Sequence, residues 1–209
     1  MRVYVETNFV LEMVLEQEDR AACESILRLA ELDAIKLALP AFSLAEAASN
    51  LARRHDWRRL SAEDKTSREI LQLRRSAAFG DETKAVEDSI HKLFARSVQY
   101  ERESLKRVSA RLLAVATVLP LSDRAIRQWR TSPFGDLEVP DAMVLYSILA
   151  DESLGQEEAC FLSRDPAAFD DPDIRRDLRD RRCKFFKSFD HGRRYVESQV
   201  VAQPGSSGA

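Results

Sequence analysis

Apolar positions along this chain follow two rhythms. Short runs of β-branched, aromatic and aliphatic residues predict five strands: Val3-Tyr4-Val5 within 2–6, IKLALP at 35–40, TVLPLS at 117–122, ACFLS at 159–163 and KFFKSF at 184–189. Between them, apolar residues recur at three- and four-residue spacing and predict helices. The first covers 8–31 through Val10, Met13, Val14, Cys23, Ile26, Leu27 and Leu29. A second carries LAEAASNLARR, opened by Ser43 with Glu46 three residues later in a capping-box pattern. Two or three more fill 62–114, broken near Phe79-Gly80-Asp81; another starts at Asp123, one runs from Asp141 to Gly155, and the last spans about 190–200. TSPFGDLEVP reads as a loop, and DPAAFDDPDIRRDLRDRR as a loop with a short helix. Strands alternating with helices predict an α/β domain built on a parallel sheet. Residues 1–200 read as one domain with a helical elaboration at about 52–115, and 201–209 as a disordered tail.

Composition narrows the function classes. A formal net charge of -3 gives no global basic field of the kind that drives nonspecific nucleic-acid binding, so any such contact must come from local patches. Cys23, Cys160 and Cys183 are isolated, without zinc-site spacing, and fit packing roles in a reducing cytoplasm. No apolar run is long enough to span a bilayer, and Glu6 and Glu12 interrupt the N-terminal run where a signal peptide would be continuous, so no membrane partner is expected.

The candidate chemistry lies in four acids at comparable positions. Glu6 follows the first strand, Glu46 lies just beyond the second, Asp141 begins the helix before the fourth, and Asp165 lies just beyond the fourth. In a parallel sheet the carboxyl ends of strands gather on one edge, so these side chains can converge from distant parts of the chain. Two carboxylates about 4 Å apart repel by roughly 4 kcal/mol at an effective dielectric near 20. Either their pKa values rise or a cation sits between them. An all-oxygen set without clustered His or Cys suits Mg²⁺ or Mn²⁺. Such a centre can activate water against a phosphodiester. Each acid also has a structural use: a cap after Pro140 for Asp141, a turn before Pro166 for Asp165, a capping box for Glu46. Asp136 and Glu138 are auxiliary candidates on the preceding loop.

Taken together, VYVETNFVLE, PAFSLAEA, PDAMVLYSILAD and FLSRDPAAF resemble the PIN-domain family, compact α/β metal-dependent nucleases. The resemblance runs from residue 2 to about 190, with 62–114 longer than the family's small toxin members require. It implies a three-layer α/β/α fold around a five-stranded parallel sheet of order 3-2-1-4-5, with a helical insertion. The strand pattern alone does not order the sheet. The resemblance further implies that Glu6, Glu46, Asp141 and Asp165 hold Mg²⁺ or Mn²⁺, with Asn8 and Ser163 supporting them through hydrogen bonds. Glu6 stands where the family usually has Asp. Its extra methylene is large beside the narrow ~2.0–2.1 Å Mg²⁺ ligand distance, leaving a shifted, Mn²⁺-preferring site and an inactive one both open.

These features lead to a metal-dependent endoribonuclease acting on single-stranded or structured RNA, where RNA rather than DNA comes from the resemblance. The alternative is a catalytically weak PIN-like module that binds RNA or protein. Small-molecule phosphatase activity ranks lower because no Gly-rich phosphate loop is evident. Arg53, Arg54 and Trp57, within RRHDWRR, suit phosphate contacts and base stacking, against the alternative of a solvated helix end with Trp57 in the core. Arg164, beside Asp165, is placed to meet a substrate phosphate. An antitoxin partner is open but disfavoured by the enlarged helical region, and amphipathic helices there leave a homodimer face open.

Overall fold

A computed structural model of the chain describes residues 1–64, 67–131 and 137–202. Five strands form one sheet: β1 (Arg2–Val5), β2 (Lys36–Pro40), β3 (Thr117–Leu119), β4 (Ala159–Leu162) and β5 (Cys183–Phe186). All neighbours are parallel, in the order β3-β2-β1-β4-β5. Tyr4 of β1 stands opposite Ala38 of β2 on one side and Phe161 of β4 on the other. Every residue of β1 and β4 is buried, which explains why their sequences read as unbroken apolar runs rather than alternating ones.

The helices are α1 (Thr7–Leu15), α2 (Arg20–Glu31), α3 (Ala41–Asp64), α4 (Ser67–Arg74), α5 (Gly80–Val115), α6 (Asp123–Arg130), α7 (Val139–Leu149), α8 (Pro166–Phe169), α9 (Pro172–Asp180) and α10 (Phe189–Val201). Tyr4, Ala38 and Phe161 point to one face of the sheet and share a core with Ala125 of α6, Leu145 and Ile148 of α7, Phe169 of α8 and Leu178 of α9. The opposite face is covered by α2 and α10, with α1 packed on α2. There the Phe9 and Phe189 rings meet edge to face, 5.6 Å between centroids. This is the three-layer α/β/α arrangement expected from the sequence.

The chain divides into two compact units, Met1–Ala47 with Arg107–Ala209, and Ala48–Lys106. The second unit is helical throughout its described residues, apart from the turn between α4 and α5. Cys23, Cys160 and Cys183 are buried free thiols. Among the described residues no helix is long and apolar enough to cross a membrane.

Several boundaries differ from expectation. The single helix predicted over 8–31 is two, because Glu16 turns left-handed at φ 53° and closes α1 with its N–H on the Glu12 carbonyl. Ser43 does not open a capping box: α3 begins at Ala41, directly after β2, so Ser43 lies inside the helix with its hydroxyl buried and unpartnered. Glu138 and Val139, not Asp141, begin α7, which ends at Leu149. The loop after β4 contains two helices, each with proline in its first turn and an aspartate cap. The tail from residue 203 lies outside the described residues.

Close packing fixes one position of α10. A Cβ on Gly192 would stand 2.4 Å from Leu162 Cδ2 and 3.0 Å from Cδ1, on a β4 side chain that is itself fully buried. Gly192→Ala is therefore expected to lower stability by about 1–3 kcal/mol through overpacking. A urea midpoint equal to that of the native protein would show that Leu162 moves aside freely.

Candidate acidic metal centre

The sheet order places β1 in the middle, between β2 and β4. Connections leaving this centre go to opposite sides, and the crevice beyond the carboxyl ends of β1 and β4 is where open α/β sheets accommodate ligands. Glu6 follows β1 directly and caps α1. Its backbone is extended, its Oε2 accepts the Asn8 N–H at 2.7 Å, and its carbonyl accepts the Phe9 N–H at 3.0 Å. Asn8 thus supports Glu6 through the backbone rather than through its side-chain amide. The other carboxylate oxygen, Oε1, is buried and has no hydrogen-bond partner.

Burial pushes the Glu6 carboxyl up to about 8. The Asn8 N–H and the nearby Ser163 hydroxyl act in the lowering direction, while the Glu46 and Asp165 charges raise it further. Although Ser163 lies close enough to matter electrostatically, no donor completes hydrogen-bond geometry at Oε1.

The remaining acids arrive from three other elements. Glu46 lies in the second turn of α3, where Thr7 Oγ1 donates a short hydrogen bond to its Oε2. Asp141 occupies the first turn of α7, half-buried, with its carboxyl raised to about 6 by burial and then by Asp165, Glu46 and Glu138. Asp165 caps α8: its Oδ1 accepts the Ala168 N–H at 3.0 Å, while its own N–H donates to Ser163 Oγ at 3.0 Å. The charges of Glu46 and Asp165 each raise both Glu6 and Asp141, which puts those two acids within electrostatic reach of both raised carboxyls. Glu138 joins the same field, whereas Asp136 lies outside the described residues.

Carboxylates gathered without a cation are under electrostatic tension, and Glu6 Oε1 is a buried oxygen still lacking a donor. Both observations fit a hard divalent ion, as does the all-oxygen donor set. Among the described residues, however, no three Asp, Glu, His or Cys side chains stand together as a ready-made chelate. Three of the four acids already accept hydrogen bonds from the protein.

The family model for the PIN domain matches residues 3–169, a span that contains all four acids and the central strands. The chain belongs to the PIN-domain family. Comparison with curated proteins and with solved structures found no match. Membership gives this PIN domain a nuclease-type fold, and nucleases of the family typically use divalent metals.

Arg164 is partly exposed and already committed to acids of the PIN domain. Its guanidinium lies 2.5 Å from Glu12 Oε1, 3.2 Å from Glu18 and 3.6 Å from Asp19. Glu12 is buried, and its Oε2 accepts the Asp19 N–H at 2.9 Å. A phosphate approaching Arg164 would compete with three carboxylates. Sequence reasoning missed this role of Glu12 and the contact of Thr7 with Glu46. The available signal for Glu12 was a lone acid inside the apolar run Phe9–Val14, a position that α1 buries.

In the second unit, Trp57 is 68 % exposed, so the alternative that put it in the core is wrong. It lies on the water-facing side of α3, as do Arg53 and Arg54. His55 and Arg58 instead turn to Glu101 of α5, at 2.9 and 2.6 Å.

Proposed function

We propose that this PIN domain is a divalent-metal-dependent endoribonuclease. The observation carrying the reading is the electrostatic convergence of Glu6, Glu46, Asp141 and Asp165 beyond the carboxyl ends of the central strands, with Glu6 and Asp141 both raised. Mg²⁺ or Mn²⁺ would be held by oxygens of these four acids. When bound, such an ion supplies Lewis acidity and makes its water easier to deprotonate near neutral pH. Thr7 orients Glu46, Ser163 fixes the Asp165 backbone, and the Asn8 N–H holds Glu6 so that Oε1 remains available. Burial and the neighbouring acids raise the Asp141 carboxyl to about 6 in the metal-free site, so binding of the ion would favour release of its proton and hold it as an ionised ligand. In this reading, hydrolysis attaches the water oxygen to phosphorus and breaks one P–O ester bond of the strand.

A second reading has its own support. Glu6 is a methylene longer than the family's usual Asp, and no three acids stand as a ready chelate among the described residues. Both favour a weak catalyst that mainly binds RNA or a protein. The two readings separate in one experiment with labelled single-stranded and hairpin RNAs and DNAs, in Mn²⁺, Mg²⁺ or chelator. Cleavage that needs metal and falls by at least about tenfold in Asp141→Asn assigns the chemistry to this site. A large gain in Glu6→Asp identifies an attenuated centre. Equal cleavage by the native and Asp141→Asn proteins removes the assignment, and no cleavage by any form favours the binding module.

A further inference from the structure

Residues 50–59 carry four arginines and one histidine against a single acid, Asp56. Glu101 engages His55 and Arg58 and so neutralises one flank of this cluster. Asn50, Arg53, Arg54 and Trp57 fall at i, i+3, i+4 and i+7 of α3 and form one stripe along the helix. Arg53 donates to Asn50 Oδ1, and among the described residues no carboxylate pairs with Arg53 or Arg54. Beside these two free cations stands an indole that is 68 % exposed. A solvated helix end has no need of a large exposed aromatic. A polyanion with unpaired bases uses both parts: guanidinium groups meet phosphates, and the indole stacks on a base.

We propose that this stripe of α3 is a docking surface for single-stranded RNA. Duplexes fit poorly, because their bases are already stacked and unavailable to Trp57. The choice of RNA rests on the endoribonuclease reading; the binding itself rests on the stripe.

The chain has two tryptophans, and Trp129 is half-buried against the core of the first unit. Trp129→Phe thus leaves Trp57 as the only indole reporter. The probe is an oligoadenylate or oligouridylate of roughly a dozen nucleotides, within the span of known single-strand sites, in chelator so that cleavage does not intervene. Saturable quenching of Trp57 is expected, together with labelled-strand binding that weakens with salt. Arg53→Ala/Arg54→Ala should bind about tenfold more weakly and reduce the log–log salt slope by about 1.4, from two phosphate contacts at ~0.7 each. Trp57→Ala should also bind roughly tenfold more weakly but keep the native salt slope, since stacking is not electrostatic. Native affinity in both variants overturns the proposal. So does equal quenching by polyglutamate, which would indicate an acidic protein partner. If the strand does not bind the stripe while metal-dependent cleavage persists, the surface fails and the nuclease reading stands. Binding by native and Asp141→Asn proteins without cleavage under any metal would do the reverse.

Discussion

Raising the pH of the metal-free protein from about 5 to about 8 is expected to destabilise it, with Glu6 alone contributing up to ~4 kcal/mol. The sign follows from its two states. Unfolded, Glu6 ionises near its ordinary value of 4.5; folded, it holds its proton until about 8 because burial disfavours the charge. Between those values the unfolded chain has released a proton that the folded chain keeps. Stability therefore falls as pH rises through that window and levels off above it. Asp141 acts in the same direction up to about 6, with a smaller effect because it is only half-buried. Glu6→Gln should remove most of the slope while still accepting the Asn8 N–H, and should be more stable than the native protein at pH 8 without metal. Mn²⁺ should restore native stability most strongly at pH 8, because binding ionised ligands offsets their repulsion. Urea unfolding at several pH values, with chelator or Mn²⁺, provides the measurement. Parallel pH profiles for the native and Glu6→Gln proteins would sink the assignment.

Removing Arg164 should be the most damaging single change near the site that touches none of the four acids. Arg164→Met leaves Glu12 buried, with the Asp19 N–H as the remaining donor to its carboxylate among the described residues. Breaking a buried pair from one side costs about 3 kcal/mol, at the low end because Arg164 is partly exposed. For a domain of this size that is a fall in Tm of roughly 6–12 °C. Adding Glu12→Gln should recover part of the loss, since the uncompensated charge disappears. Equal losses in the single and double variants would show that Arg164 contributes by packing alone. Because Arg164 stands between Ser163 and Asp165, cleavage should weaken as well.

Legibility in the sequence depended on the range of the interaction. Strands that are buried on both faces appeared as short apolar runs, and the alternation of strands with helices indicated the layers. The break between α1 and α2 did not appear, because the apolar spacing continues past Glu16 and its left-handed turn has no glycine to announce it. Ser43 and Glu46 matched a cap by spacing, yet an abrupt start at Ala41 moved both inside the helix and freed Glu46 to meet Thr7. The acids could be placed by topology. Their partners could not: Arg164 and Glu12 are 152 residues apart, and Trp57 looks identical in sequence whether exposed or buried.

The central position of β1 has a consequence for synthesis. One of its neighbours, β2, is encoded within the first 40 residues, but the other, β4, does not exist until residue 162 has been added. A growing chain thus carries Glu6 and Glu46 long before Asp141 and Asp165. A chain extended only as far as β3 is therefore a half-built sheet without a complete acid quartet, and the proposed metal centre comes together only after β4 and Asp165 have been added.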